Sequence, residues 1–272
     1  MHAENTSLKG RWALILGASS GFGAATARAF AQAGMNIFGV HLDPRRSIEQ
    51  AEAVMADVEA AGSRAVFFNT NAADARRRAR VLETITATLL NDAFHTLHIM
   101  VHTLAFGSLR PYITELPEDA TTEEQMEMTL RVMAHSLVYW TQDLVRAGLL
   151  GAGSRIYALS SIGSQRATPY YGAVSAAKAA LEAHTRQLAL ELAPRGIAVN
   201  CLMPGVTDTP ALRAIPDHEK LIETVLTHHP AHRLTTPEDV AQALVTLADP
   251  RLTWISGAII PVDGGEAAIG VT

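Results

Sequence analysis

The sequence predicts a single α/β domain, a doubly wound parallel sheet with helices on both faces. Three observations predict it. Short apolar runs alternate with longer helical patterns along all 272 residues, and most of those runs are continuous rather than alternating. No linker, low-complexity tract or internal repeat divides the chain. Continuous apolar runs are what strands covered on both faces require. Strand–helix alternation sustained over the whole length is the pattern of a doubly wound sheet. With 48% apolar and 18% charged residues, the chain can bury a large core.

In chain order, strands are expected at 11–16, 35–40, 64–68, 97–101, 155–159, 197–200 and 258–262. Helices are expected between them at 23–32, 45–60, 74–90, 123–145, 175–193 and 237–248. Two loop-rich stretches, 106–122 and 204–232, follow strand C-termini, the edge at which open α/β sheets bind ligands. Lys plus Arg (22) against Asp plus Glu (27) leaves a net charge of −5, with no general affinity for nucleic acid or an acidic membrane. Cys201 is the sole cysteine, so no disulfide forms within the chain and a reducing, cytoplasmic compartment is expected. The first ten residues hold no apolar stretch of a secretory signal, and no run is long enough to span a bilayer. His228, His229 and His232 lie in a loop without cysteine or carboxylate partners, so no metal is expected.

Gly17-Ala18-Ser19-Ser20-Gly21-Phe22-Gly23 stands between the first strand and the first helix. Such glycines let the backbone turn tightly and approach a pyrophosphate, which rests on the helix N-terminus. That placement marks a Rossmann-type, dinucleotide-binding sheet, with Gly17, Ser19, Ser20, Phe22 and Gly23 at the cofactor. Ser19 and Ser20 can add hydroxyl contacts or cap the helix.

The motif resembles the glycine motif of the short-chain dehydrogenases/reductases, with Leu16 where Thr is more usual. The resemblance continues through Val199-Asn200-Cys201-Leu202-Met203-Pro204-Gly205 and Pro237-Glu238-Asp239-Val240 to Val262-Asp263-Gly264-Gly265, roughly residues 8–266. Most members carry Tyr four residues before a catalytic Lys. Here Lys178 is preceded at that distance by Val174, and the nearest upstream tyrosines are Tyr171 and Tyr170, seven and eight residues before it. Seven residues are nearly two helical turns, leaving side chains only about 20° apart in azimuth. Tyr171 can therefore point along the groove of Lys178, roughly one turn further out, while Tyr170 is rotated away.

Chemistry gives that displacement a reason. A carbonyl reductase needs its acid beside the hydride acceptor. An enoyl thioester takes hydride at the β-carbon, and charge develops on an oxygen two carbons away, so the stabilising hydroxyl must move outward. Tyr-x6-Lys thus resembles the bacterial enoyl-acyl-carrier-protein reductases. Val101-His102-Thr103-Leu104-Ala105-Phe106-Gly107 is similar to a stretch of the FabI branch. Ser160-Ser161-Ile162-Gly163-Ser164-Gln165-Arg166, Lys178-Ala179-Ala180-Leu181-Glu182-Ala183 and Asp208-Thr209-Pro210-Ala211-Leu212 are closer to the FabL branch. Met133 stands where other members place a catalytic Asn.

The resemblance implies that Tyr171 donates to the thioester oxygen and that Lys178 holds the nicotinamide ribose. Ser161 assists the substrate oxygen or caps a turn. Phe106 and Leu212 would meet the acyl chain, and Ala105, Asn71, Gly205, Thr207 and Thr209 the cofactor. His41 occupies the position where NAD-dependent relatives place Asp. Arg45 and Arg46 either grip a 2′-phosphate, favouring NADPH over NADH, or are solvated. Arg76, Arg77, Arg78 and Arg80 either meet an acidic carrier protein or form a solvated face. Acyl carrier protein bearing the enoyl thioester is the expected partner. A homotetramer is expected, since Ala173, Ala176, Ala177, Ala180 and Ala183 exceed what one buried helix face needs. Residues 206–229, broken by Pro210 and Pro216, are expected to form a mobile substrate lid. Two other readings stay open: a reductase of the same superfamily acting on a ketone, alcohol or dienoyl-CoA, and a catalytically silent cofactor-binding protein.

Overall fold

Seven apolar segments pair in parallel into one sheet: β1 (Trp12–Leu16), β2 (Asn36–His41), β3 (Ala65–Asn69), β4 (Leu97–His102), β5 (Leu150–Leu159), β6 (Ala198–Pro204) and β7 (Ile259–Val262). Their order in space is β3-β2-β1-β4-β5-β6-β7. The chain builds outward from β1 to β3, then returns to lay β4 against the other side of β1. That reversal opens a crevice above the C-terminal ends of β1 and β4, where doubly wound sheets take their ligand. The computed structural model describes residues 8–269, with the side chain of Arg46 outside the described set. The reading of the first ten residues therefore falls mostly outside the described residues, as does any role of the Arg46 side chain.

Alternate residues of each buried strand supply two cores. Leu14, Leu16, Phe38, Met100, Ile156, Ala158, Val199 and Cys201 pack beneath α3 (Ala75–Leu90), α5 (Ser136–Arg146) and α6 (Gly172–Leu192). Ala13, Ile15, Ile37, Ile99, Val101, Tyr157 and Leu202 pack on the opposite face under α1 (Gly21–Gln32), α2 (Ile48–Ala60) and α9 (Pro237–Leu247). Each fully buried Leu, Ile or Phe contributes about 1.5–3 kcal/mol from removal of its side chain from water. No helix among the described residues is long and apolar enough to cross a membrane.

Four elements depart from the sequence reading. β5 starts at Leu150 rather than 155, with a register shift opposite Leu97 and Ile99. Polar Ser154 hides this extension in the sequence, yet it stitches it in place, donating to Leu97 O at 2.6 Å and accepting from Gly151 N. β6 runs past Asn200, whose amide is satisfied by Ile255 O and Ala258 N. The expected helix at 45–60 opens as a 3₁₀ turn, Arg45–Ser47. The expected helix at 123–145 is divided into α4 (Glu123–Leu130) and α5 by a π-turn at Arg131–His135. One residue inserted into an α-helical ladder produces such a bulge, which shifts the phase of the apolar period without ending the helical pattern.

Candidate active site

The crevice is floored by the glycine loop. Gly17 has φ +98°, a left-handed conformation that side chains resist. A Cβ at Gly23 would stand 1.9 Å from Gly17 O, so only glycine lets the first turn of α1 close against the strand end. Thr103, just past β4, donates to Leu16 O at 2.8 Å and ties the loop to the sheet. Ser20 occupies the N-cap of α1 but makes no side-chain cap bond, which leaves its hydroxyl for a ligand. Across the loop, a Cβ at Gly21 would touch the Thr209 side chain at 3.5 Å. Thr209 also caps α7 (Pro210–Arg213), and Thr207 Oγ1 donates to Gly205 O at 2.9 Å. Exposed helix N–H groups, an uncommitted hydroxyl and a backbone with no Cβ in the way form a cradle of the kind a dinucleotide pyrophosphate needs.

Lys178 is buried on α6, and its Nζ donates to Leu159 O at 2.6 Å. Burial pulls its pKa down to about 8, while Cys201 and Glu182 act in the opposite direction. Val174, the position of the usual tyrosine, is packed with Met133 and Ala177, so hydrocarbon fills the place of the acid. Tyr171 lies at the N-cap of α6 against the same cluster. Its ring backs onto Gly163, where a Cβ would stand 2.5 Å from Cε1. Burial pushes its phenol above the ordinary tyrosine value, and a hydrogen bond with the Ser161 side chain works the other way. Tyr170 is exposed, with φ +63°. Ser161 also caps the turn, accepting from Gly163 N at 3.1 Å, so both roles expected of it are compatible. Tyr171 and Ser161 thus meet just past the end of β5, the strand whose last residue, Leu159, holds Lys178.

The other expected site residues are dispersed around this centre. Ala105 and Phe106 are exposed beyond β4, Phe106 by 67%. Asn71 is exposed in a turn and accepts from Ala73 N at 2.9 Å. His41 Nδ1 pairs with Asp43 Oδ2 at 2.7 Å, and Asp43 is locked to Asn69 through both its N–H and its C=O. Arg45 is exposed beside them. In the expected lid, α7 and α8 (His218–His228) form as separate short helices. Leu212, Ile215 and Val225, apolar side chains of this segment, are buried. The arginine run is not uniformly solvated either. Arg78 is buried and pairs with Asp143 at 2.6 Å, because it falls on the core-facing stripe of α3. Among the described residues, no group of three or more His, Cys, Asp or Glu stands close enough to hold a metal.

Sequence reasoning missed three groups. Tyr112 lies on Gly172, whose Cβ would meet its ring at 2.6 Å, beside Tyr171. No local pattern in the 106–122 loop signals this contact. His102 Nε2 donates to Ser136 Oγ at 2.7 Å, and Ser136 in turn donates to Val132 O inside the π-turn. Burial, with the Lys178 charge adding to it, holds His102 down to about 3, so the imidazole is neutral. Glu182, one turn beyond Lys178 on α6, accepts from Ser160 and Ser164. Its spacing from Lys178 was the available signal.

A glycine cradle at the strand reversal and a buried lysine flanked by tyrosine and serine define a nicotinamide-dinucleotide oxidoreductase. Comparison with known proteins agrees. Residues 17–266 match the family model described as "Enoyl-(Acyl carrier protein) reductase". The cis-4-hydroxycyclohexanecarboxylate dehydrogenase of Sinomonas cyclohexanicum is 30% identical, over 95% of this chain and 97% of its own. A 3-oxoacyl-[acyl-carrier-protein] reductase of Synechocystis is 30% identical, over 96% of this chain and 98% of its own. A short-chain dehydrogenase of Burkholderia cenocepacia, solved in complex with NADP, superposes with a TM-score of 0.79 at 30% identity, covering 95% of this chain and 98% of that one. The chain belongs to the short-chain dehydrogenase/reductase superfamily and is an NAD(P)-dependent oxidoreductase.

Proposed function

We propose that the protein reduces the carbon–carbon double bond of a trans-2-enoyl thioester, presented by acyl carrier protein in a cytoplasmic fatty-acid elongation cycle. The observation that carries this reading is the pair Tyr171 and Val174. The phenol stands seven residues before Lys178, and the usual position is filled by a buried valine. A hydroxyl set outward from the lysine suits charge that develops on the thioester oxygen, two carbons from the carbon that is reduced. A nicotinamide dinucleotide bound in the glycine cradle would supply the hydride that the β-carbon accepts. Tyr171 donates a hydrogen bond to the thioester oxygen as electron density moves there, and the α-carbon of the resulting enolate then takes its proton from solvent water. Ser161 orients the phenol, and Lys178, held against Leu159 O, grips the ribose and offsets the oxyanion. The family-model description supports the same reading.

NADPH is the proposed cofactor. Asp43 is occupied by His41 and Asn69, which leaves Arg45 to meet a 2′-phosphate. A second reading, reduction of a ketone or oxidation of an alcohol, draws on the names of the Sinomonas and Synechocystis relatives. Val174 and Met133 stand against it, since both polar groups such chemistry uses are replaced by hydrocarbon. The deciding assay offers trans-2-enoyl and 3-oxoacyl thioesters, on coenzyme A and on acyl carrier protein, with each nicotinamide cofactor. Cofactor oxidation with the enoyl substrates and none with the 3-oxoacyl ones is expected. The reverse pattern overturns the proposal.

A further inference from the structure

Glu182 is buried, and the hydroxyls of Ser160 and Ser164 both donate to its Oε1, at 2.5 and 2.6 Å. One turn earlier on α6, Lys178 Nζ donates to Leu159 O at 2.6 Å. Helix α6 therefore holds the segment 159–164 at three points, through two side chains of opposite charge. Between those points lie Ser161 and Gly163, the residues that orient and back the Tyr171 ring. We propose that Glu182 is a positioning residue: it fixes the turn that carries Ser161 and seats Tyr171, and it places a buried carboxyl group one turn from Lys178.

Cost argues that the charge has a use. A buried carboxylate is expensive unless it is both hydrogen-bonded and paired with a cation. Two serine hydroxyls could be accepted as well by a neutral amide oxygen, so the turn alone does not call for an ionised group. The groups that act electrostatically on Lys178 come from three elements: Glu182 on α6, Cys201 on β6 and His102 on β4. Burial pushes the Cys201 thiol up to about 12 and holds His102 down to about 3, so both are neutral. Glu182, one turn from Lys178 on the same helix, is the carboxyl group of the set.

This inference rests on Tyr171 and Lys178 being the working pair of the proposed reductase, and two variants test it. Glu182→Gln keeps an oxygen for both serines and removes the charge; Glu182→Ala removes both. NADPH affinity is measured by fluorescence across pH without any substrate, and enoyl turnover separately. For Glu182→Gln, the pH above which NADPH affinity falls is expected to drop by about one unit, with kcat at pH ~6.5 within about threefold of wild type. For Glu182→Ala, kcat is expected to fall at least about tenfold while the NADPH Kd at that pH changes less than about threefold. An affinity profile in Glu182→Gln identical to wild type overturns the charge role. Unchanged kcat in Glu182→Ala, with only a lowered Tm, overturns the positioning role. If the alanine variant does not fold, Ser160→Ala combined with Ser164→Ala, which removes the two hydrogen bonds to Glu182, is read in its place with the same expected and overturning outcomes. Absence of enoyl turnover in the wild type overturns the functional reading instead, and the substrate-free affinity profiles still test Glu182.

Discussion

Tyr171 is held by three neighbours of different kinds: Gly163 behind the ring, the Ser161 hydroxyl at its edge, and the apolar cluster of Met133, Val174 and Ala177. A tyrosine phenol is protonated at neutral pH, the state a hydrogen-bond donor requires, and burial pushes the pKa of Tyr171 further up. Tyr171→Phe should lower enoyl-thioester turnover by about 10²–10³-fold, the usual cost of one oxyanion donor, with little change in cofactor affinity. Tyr170→Phe should stay near wild type, since that residue is exposed. The reverse ranking in steady-state kinetics would show that the other tyrosine does the work. Tyr171 and Lys178 were legible because helical spacing alone relates their directions. Tyr112, His102 and Glu182 were less so, because each acts through a contact between elements that a linear pattern does not encode.

Elements at the C-terminal edge of the sheet divide into fixed and adjustable parts. The glycine loop is pinned by Thr103 and admits no Cβ at Gly23. The β2–α2 connection is braced by the Asp43–Asn69 pair and presents Arg45. Arg45→Ala should reduce kcat/KM for NADPH about tenfold or more and leave NADH nearly unchanged, as expected for loss of one charged contact to phosphate. Equal effects on both cofactors would remove Arg45 from the 2′-phosphate. Residues 206–229 are proposed as the adjustable part. Their ends are anchored, by Val206 N to Glu266 and by His229 Nε2 to Asp263 O, while Leu226 stays 41% exposed. Burial of Leu212, Ile215 and Val225 means that opening must break existing contacts. Hydrogen exchange in α7 and α8 should slow when cofactor and an enoyl thioester analogue bind. Equal, strong protection in both states would make the segment a fixed connection. Element types were readable from apolar period throughout, and the misplaced ends fall where polar Ser154, Asn200 or a π-turn breaks that period without breaking the structure.

For the whole molecule, the two-faced sheet followed from continuous apolar runs, whereas the order β3-β2-β1-β4-β5-β6-β7 is set by contacts between elements that the apolar pattern does not encode. Assembly lies outside such patterns. On α6, Ala176, Ala183 and Leu190 are exposed at seven-residue steps, and Leu190 is 71% exposed. A stripe of small side chains ending in an exposed leucine suits close approach of a second copy across a two-fold axis. Light scattering at micromolar concentration should give a tetramer, and Leu190→Glu should reduce the assembled mass; a monomeric wild type would contradict this. The claim that unites site and fold is that the outward tyrosine serves reduction at the β-carbon of an enoyl thioester. The most direct measurement follows the hydride itself. Nicotinamide cofactor carrying deuterium at its transferable position is mixed with the enzyme and a trans-2-enoyl thioester, and the product is read by mass spectrometry and NMR. The expected product is a saturated acyl thioester with one deuterium at the β-carbon. No saturated product, with deuterium instead on the carbinol carbon of a hydroxyacyl thioester when a 3-oxoacyl substrate is supplied, would contradict it.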